Sequence, residues 1–149
     1  MNLKNYTTEV QATKSIDLIE KLLVDFGASN IMKEYNEIIP LTGKRCSSIS
    51  FIVEVEGMKL PFKLPANIDK IIKWLKKKKP NSQPKTIAEQ SEKIAWKQQY
   101  ELLHLQLGQI EMNQLEKLEV FFPYLYDVNK QQTFYQQVKA NGFKALLTN

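Results

Sequence analysis

The feature that most constrains this chain is an alternating run from Ile49 to Leu64. Ile49, Phe51, Val53 and Val55 alternate with Ser50, Ile52, Glu54 and Glu56. Past Gly57, Met58, Leu60, Phe62 and Leu64 alternate with Lys59, Pro61 and Lys63. Successive side chains of a strand point to opposite faces, so two such arms around a glycine turn describe a β-hairpin with one buried and one wet face. Phe51, Val53, Leu60 and Phe62 are the expected buried set. Pro61 has no N–H to donate to a ladder, which puts the second arm at a sheet edge.

A hairpin alone is too small to be stable in water, so its apolar face must meet other elements. Tyr6–Val10 is β-prone and is the expected first strand. A helix is expected from about Lys14 to Phe26, capped by Thr13, with Ile16, Ile19, Leu23 and Phe26 on one face and Gly27 as its stop. Asn30–Tyr35 reads as a second strand, followed by a loop at Pro40 and Gly43. After the hairpin, Asn67 opens a helix over Ile68–Lys79 with Ile68, Ile71, Ile72 and Leu75 buried. The lysines at its end suit the negative pole of the helix dipole.

Pro80–Pro84 is a linker, and Thr86-Ile87-Ala88-Glu89 has the form of a capping box that starts a long helix. Trp96, Tyr100, Leu103, Leu107 and Ile110 recur along it at spacings of four and three. Gln114 continues that register, with Leu118 and Phe121 near it. Ile94, Leu102 and Leu105 form a second apolar set, so the helix must be covered on two sides. The same spacing is that of a coiled-coil seam with Gln114 as a polar register position, and equally that of a central helix in a helical subdomain. Phe122-Pro123-Tyr124 ends the run, and a last helix is expected over Thr133–Ala140, stopped by Gly142.

The fold expected is therefore α+β: a small antiparallel sheet of three or four strands with flanking helices, in the order β-α-β-β-β-α, then a helical C-terminal half. The sheet part covers residues 1–79, the linker 80–86 and the helical part 87–149, packed as one compact unit. A chain of 149 residues buries enough surface to dispense with disulfide or metal staples. Its one cysteine, Cys46, fits a reducing compartment. With no apolar run of membrane-span length and no signal-peptide core at the N-terminus, a cytoplasmic protein is expected.

Charge is distributed unevenly. Residues 66–97 carry nine lysines (Lys70, Lys73, Lys76, Lys77, Lys78, Lys79, Lys85, Lys93 and Lys97) against three acids, a net of +6 in a chain of net +5. A polyanion would meet the protein there, with Trp74 or Trp96 stacking on a base. The competing reading is a solvated helix end with both tryptophans in the core.

Other chemistry is weakly signalled. His104 is the only histidine, and no ligand-spaced cluster surrounds it, so no metal and no cofactor is expected. Cys46 beside Lys44 and Arg45 could be a thiolate, but no nucleophile signature accompanies it. Gly43-Lys44 lacks the rest of a P-loop. Glu9, Glu34, Glu37 and Glu54 read as solvated surface acids.

Several short stretches resemble a family of small proteins encoded by phages, prophages and related mobile elements. They are Asn5-Tyr6-Thr7-Thr8-Glu9-Val10, Phe26-Gly27-Ala28, Lys33-Glu34-Tyr35, Pro61-Phe62-Lys63-Leu64-Pro65, Ala95-Trp96-Lys97, Phe122-Pro123-Tyr124-Leu125 and Gly142-Phe143-Lys144. The resemblance implies a mobile-element setting and supplies no catalytic residue. Two function classes follow. One is a non-enzymatic nucleic-acid-associated accessory protein acting through Lys70–Lys97. The other is a module that modulates a host or counter-defence protein through Trp96, Tyr100, Leu103 and Leu107 on the long helix.

Overall fold

The computed structural model describes residues 2–147. Its elements are α1 (Ala12–Phe26), β1 (Ser29–Glu37), β2 (Lys44–Val55), β3 (Met58–Pro65), α2 (Ile68–Lys78), α3 (Pro84–Glu111) and α4 (Lys117–Phe121). A 3-10 turn at Phe122–Tyr124, the short strand pair β4 (Tyr126–Asp127) and β5 (Gln132–Thr133), and α5 (Phe134–Ala140) follow. The chain is α+β, with a three-stranded antiparallel sheet in the order β1-β2-β3. Among the described residues no helix is long and apolar enough to cross a membrane.

The hairpin forms as its alternation requires. Val55 pairs with Met58, Phe51 with Phe62 and Ile49 with Leu64. Glu56 and Gly57 both take positive φ, 51° and 79°, the geometry of a two-residue type I′ turn whose twist matches the strands. Phe51 and Phe62 are fully buried and stacked at 5.8 Å. Leu60 is only partly covered, because it lies nearer the turn. Pro61 sits on the edge strand, as its missing N–H demands. A single bridge between Phe62 and Leu125 covers part of that edge.

Two apolar cores lie on either side of α3. The larger joins Ile16, Ile19 and Leu23 of α1 to the hairpin and to Trp96, Leu103, Leu107 and Ile110 of α3. Phe121 of α4 closes it, 5.5 Å from Phe51 and 5.6 Å from Phe62. The smaller packs Ile68, Ile71, Ile72 and Leu75 of α2 on Ile87, Ala88, Ile94 and Ala95 of α3, with Ile38 and Leu41 from the β1–β2 loop. Each of the four α2 side chains contributes about 1.5–3 kcal/mol by its burial, which decides how that lysine-rich helix faces. At the end of α1, Gly27 adopts φ 98°. The N–H of Ala28 donates to the Leu23 carbonyl at 2.9 Å, the left-handed stop that glycine allows.

Four expectations are corrected. Thr13 does not cap α1, since the helix already begins at Ala12 behind Gln11. Tyr6–Val10 is not a strand. The carbonyls of Tyr6 and Thr8 accept from the Gln90 side chain at 3.2 and 2.9 Å, and that of Lys4 from Gln98 at 2.7 Å. Glutamines on α3 thus take the place of a ladder partner, and the order begins with α1. The long helix starts at Pro84, not at Ile87. A proline in the first turn loses no helical hydrogen bond and is preset for helical φ, so Thr86 is already inside the helix. The helix also ends at Glu111, where Asn113 turns the chain with φ 60°. Gln114, Leu118 and Phe121 lie beyond the break, and no continuous seam runs through them. Glu119 Oε1 accepts from the Glu116 N–H at 3.3 Å to start α4. The last helix forms as expected, with the Gln136 N–H donating to Thr133 Oγ1 at 3.2 Å.

Candidate nucleic-acid interface

The nine lysines do not share one face. On α2 the apolar residues Ile68, Ile71, Ile72 and Leu75 fix the inner side. At 100° per residue Lys70, Lys73 and Lys77 fall opposite them, in a ridge about 10 Å long at 1.5 Å rise per residue. All three are exposed, and among the described residues none of them forms an ion pair. Lys76 is exposed beside the ridge, and Lys79 is exposed past the end of the helix. Lys78 turns to the other flank, where its Nζ donates to Asn2 Oδ1 and lies 5.4 Å from the Tyr6 ring and 5.8 Å from that of Trp74.

The α3 lysines are placed among acids. Lys85 is 4.0 Å from Glu89, and Lys97 is 3.7 Å from Glu101. Glu101 also accepts from Asn5 Nδ2 at 2.9 Å, a bond that, with Lys4 nearby, holds its carboxyl below the usual range. Lys93 borders a cleft of about 640 Å³ between the start of α1, the sheet and α3. That cleft mixes Lys33, Lys44 and Arg45 with Asp17, Glu89 and Glu92, so its charges largely answer one another. Glu92 is half-buried 3.6 Å from Arg45. Desolvation pushes its carboxyl pKa up against the pull of that guanidinium.

The tryptophans separate in the same way. Trp96 is 0% exposed, its indole N–H donating to the Cys46 carbonyl at 3.1 Å. It cannot stack on a base. Trp74 is half-buried against Tyr6 in an edge-on contact at 6.0 Å. The stripe expected to meet a partner is likewise covered by the chain itself. Trp96, Leu103 and Leu107 belong to the larger core, and Tyr100 packs against it with its ring stacked 5.6 Å from His104. Leu102 and Leu105 of the second apolar set are exposed instead, while Ile94 is buried against α2.

Cys46 is 2% exposed and donates to the Ser48 carbonyl at 3.5 Å. Burial pushes its pKa up to about 11, overriding the Ser48 hydrogen bond and the charge of Lys33, which agrees with an unreactive thiol at the start of a strand rather than a thiolate. Among the described residues no His, Cys, Asp and Glu group of three or more is placed to hold a metal ion.

A second cleft, of about 500 Å³, opens where the ridge begins. It lies between the end of β3, the first turn of α2 and the C-terminal unit from Pro123 to Lys139. Lys63, Lys70 and Lys139 line it with Tyr124 and Tyr135, and among the described residues no Asp or Glu does. Lys63 is fixed by Glu34, 2.7 Å away, and lies 5.0 Å over the Tyr126 ring. Of these residues only Lys70 was marked as a binding residue in the sequence. Lys63 was readable as a wet-face residue of the hairpin, and Tyr135 and Lys139 as neighbours four apart on a helix. Their convergence on Lys70 depends on the path of the chain after α3.

No family model, no curated protein and no solved structure matches the chain.

Proposed function

We propose that this chain is a non-enzymatic nucleic-acid-associated accessory protein of a phage or mobile element, acting in the cytoplasm. The observation that carries the reading is the α2 ridge. Lys70, Lys73 and Lys77 stand exposed, free of ion pairs among the described residues and aligned on one helix face, with Lys76 beside them. Unpaired, evenly spaced cations on a rigid element suit a backbone of regularly spaced phosphates, and their release of counterions makes such binding salt-dependent. The lysines of α3 are left out of this reading, since their charge is offset locally. The mobile-element setting rests on the sequence resemblance alone, and the compartment on a chain with a single thiol.

Fluorescence anisotropy of labelled oligonucleotides tests it. Binding is expected at low salt, with log affinity falling linearly as log salt rises. No binding at low salt would sink the reading. Affinity capture with and without nuclease separates it from a protein-modulating module. A partner lost on nuclease treatment supports the proposal, and one that survives on a variant lacking the ridge lysines counts against it.

A further inference from the structure

We propose that the cleft at the start of α2 takes a base of a single-stranded nucleic acid, stacked on Tyr135 and held by Lys70, Lys139 and Lys63 at its phosphates. This rests on the nucleic-acid reading above and narrows it to a strand form and a mode of contact.

The first ground is charge. Lys70 and Lys139 converge, beside the Glu34-paired Lys63, on a cleft lined among the described residues by no carboxylate, whereas the larger cleft by α1 carries three acids among its cations. Among the described residues the one acid paired with a lysine of this cleft, Glu34, sits outside it and holds Lys63 in place. Close like charges in a partly enclosed site favour an anion, because the walls exclude the water that would otherwise screen them.

The second ground is the tyrosines. Tyr135 is 51% exposed on α5, and Tyr124, partly covered by the larger core, lines the same cleft. Neighbouring Phe122 and Phe134 pair with each other at 4.4 Å, whereas among the described residues neither Tyr124 nor Tyr135 pairs with another ring. Aromatic faces beside a basic track are what an unpaired base uses, and every base offers a face to stack.

The third ground is the rim. Asn67, Gln131 and Gln136 bring side-chain amides to the cleft, groups that both donate to and accept from base edges. The volume lies within the roughly 300–1,000 Å³ of sites that enclose a small ligand. A base still paired and stacked in a duplex does not enter such a site. Lys70 belongs both to the cleft and to the ridge. A strand whose phosphates follow Lys77, Lys73 and Lys70 therefore arrives at the cleft without a change of direction.

The test uses the full chain and labelled oligothymidylate, oligouridylate and a duplex of the same length, by anisotropy at low salt. Wild type is expected to bind a single strand, and preference for either sugar supports the proposal equally. Tyr135→Ala is expected to weaken single-strand binding by about tenfold and duplex binding by less than about twofold. Tyr135→Phe, which keeps the ring, is expected to bind like wild type. Lys139→Gln is expected to cost a few-fold on the single strand. An unchanged circular dichroism spectrum and Tm is expected for each variant, since both side chains are exposed.

If Tyr135→Ala binds single strands like wild type, or weakens single strand and duplex equally, the cleft is not a base site. The ridge reading then still stands if the ridge variants lose binding. If polyglutamate displaces the single strand as well from Tyr135→Ala as from wild type, the cleft reads only charge and the proposal is overturned. Failure of wild type to bind any of the three nucleic acids removes both readings at once.

Discussion

Helices α2 and α3 lie side by side, each carries lysines and one tryptophan, and they use them in opposite ways. α2 buries a single narrow face, and Lys70, Lys73 and Lys77 opposite it are exposed and, among the described residues, free of ion pairs. α3 is packed against α1, α2 and the sheet and has little outer surface left, so its charged side chains sit beside partners. Lys85 has Glu89, Lys97 has Glu101, and Lys93 borders a cleft of mixed charge. Trp96 lies in the larger core while Trp74 caps the rim of the smaller one. The two helices divide into surface and scaffold both by charge, five lysines to one acid on α2 against three to four on α3, and by how many of their faces are covered.

The largest expected effect breaks the scaffold half of that comparison. Trp96→Ala removes a fully buried indole and leaves the Cys46 carbonyl without its donor. It is expected to destabilise the fold by about 3–5 kcal/mol in urea unfolding. Trp74→Ala removes a half-buried ring that water can partly replace, and is expected to cost about 1 kcal/mol. Equal costs would mean that α2 is as deeply built into the core as α3.

The next effect sharpens the surface half. Replacing Lys70, Lys73 and Lys77 by Gln is expected to weaken single-strand binding by roughly 30-fold at low salt and to lower the salt slope by about 2. The same change at Lys85, Lys93 and Lys97 is expected to alter affinity by less than about threefold, because these cations are already shared with carboxylates. The ridge variant is expected to keep or slightly raise its Tm, since it relieves repulsion between like charges. A larger loss from the α3 set would move the interface to the other helix.

How far these roles were legible in the sequence follows from the same physics. Periodicity gave the hairpin, the α1 face and the α2 face residue by residue, because burial imposes period two or 3.6 on every half-covered element. It failed where local pattern is overridden. Tyr6–Val10 has strand composition, but Gln90 takes the carbonyls of Tyr6 and Thr8, and no local pattern records a partner so far along the chain. The Trp96–Leu107 stripe was equally consistent with an outside partner and with a second internal core. Only the placement of α1 and the sheet decides it. The basic segment was visible as composition, yet its division into a free ridge and a paired set depends on which acids fold beside which lysine. The cleft residues Lys63, Tyr124, Tyr135 and Lys139 were individually unremarkable, and the return of the C-terminal unit to the edge of β3 brings them together.

The smallest effect concerns Glu34, the acid that pairs with Lys63 of the cationic cleft. Lys63 Nζ donates to its Oε2 at 2.7 Å and Asn36 Nδ2 to its Oε1 at 3.2 Å. These bonds hold the Glu34 carboxyl below the usual range. A depressed carboxyl contributes stability above its unfolded value, and that contribution is lost as pH falls through the folded one. The pair is partly exposed, so solvent keeps the contribution small. Its effect on binding is separable. Glu34→Gln removes a negative charge next to Lys63 and is expected to tighten single-strand binding by about twofold. Acidifying wild type through the lowered Glu34 value is expected to bring its affinity to that of the variant, so the gap between the two closes with acid. Anisotropy of both proteins across the acid range measures that gap. A gap that is absent at neutral pH would show that Lys63 does not reach the bound strand, and would leave Lys70 and Lys139 as the cations of the cleft.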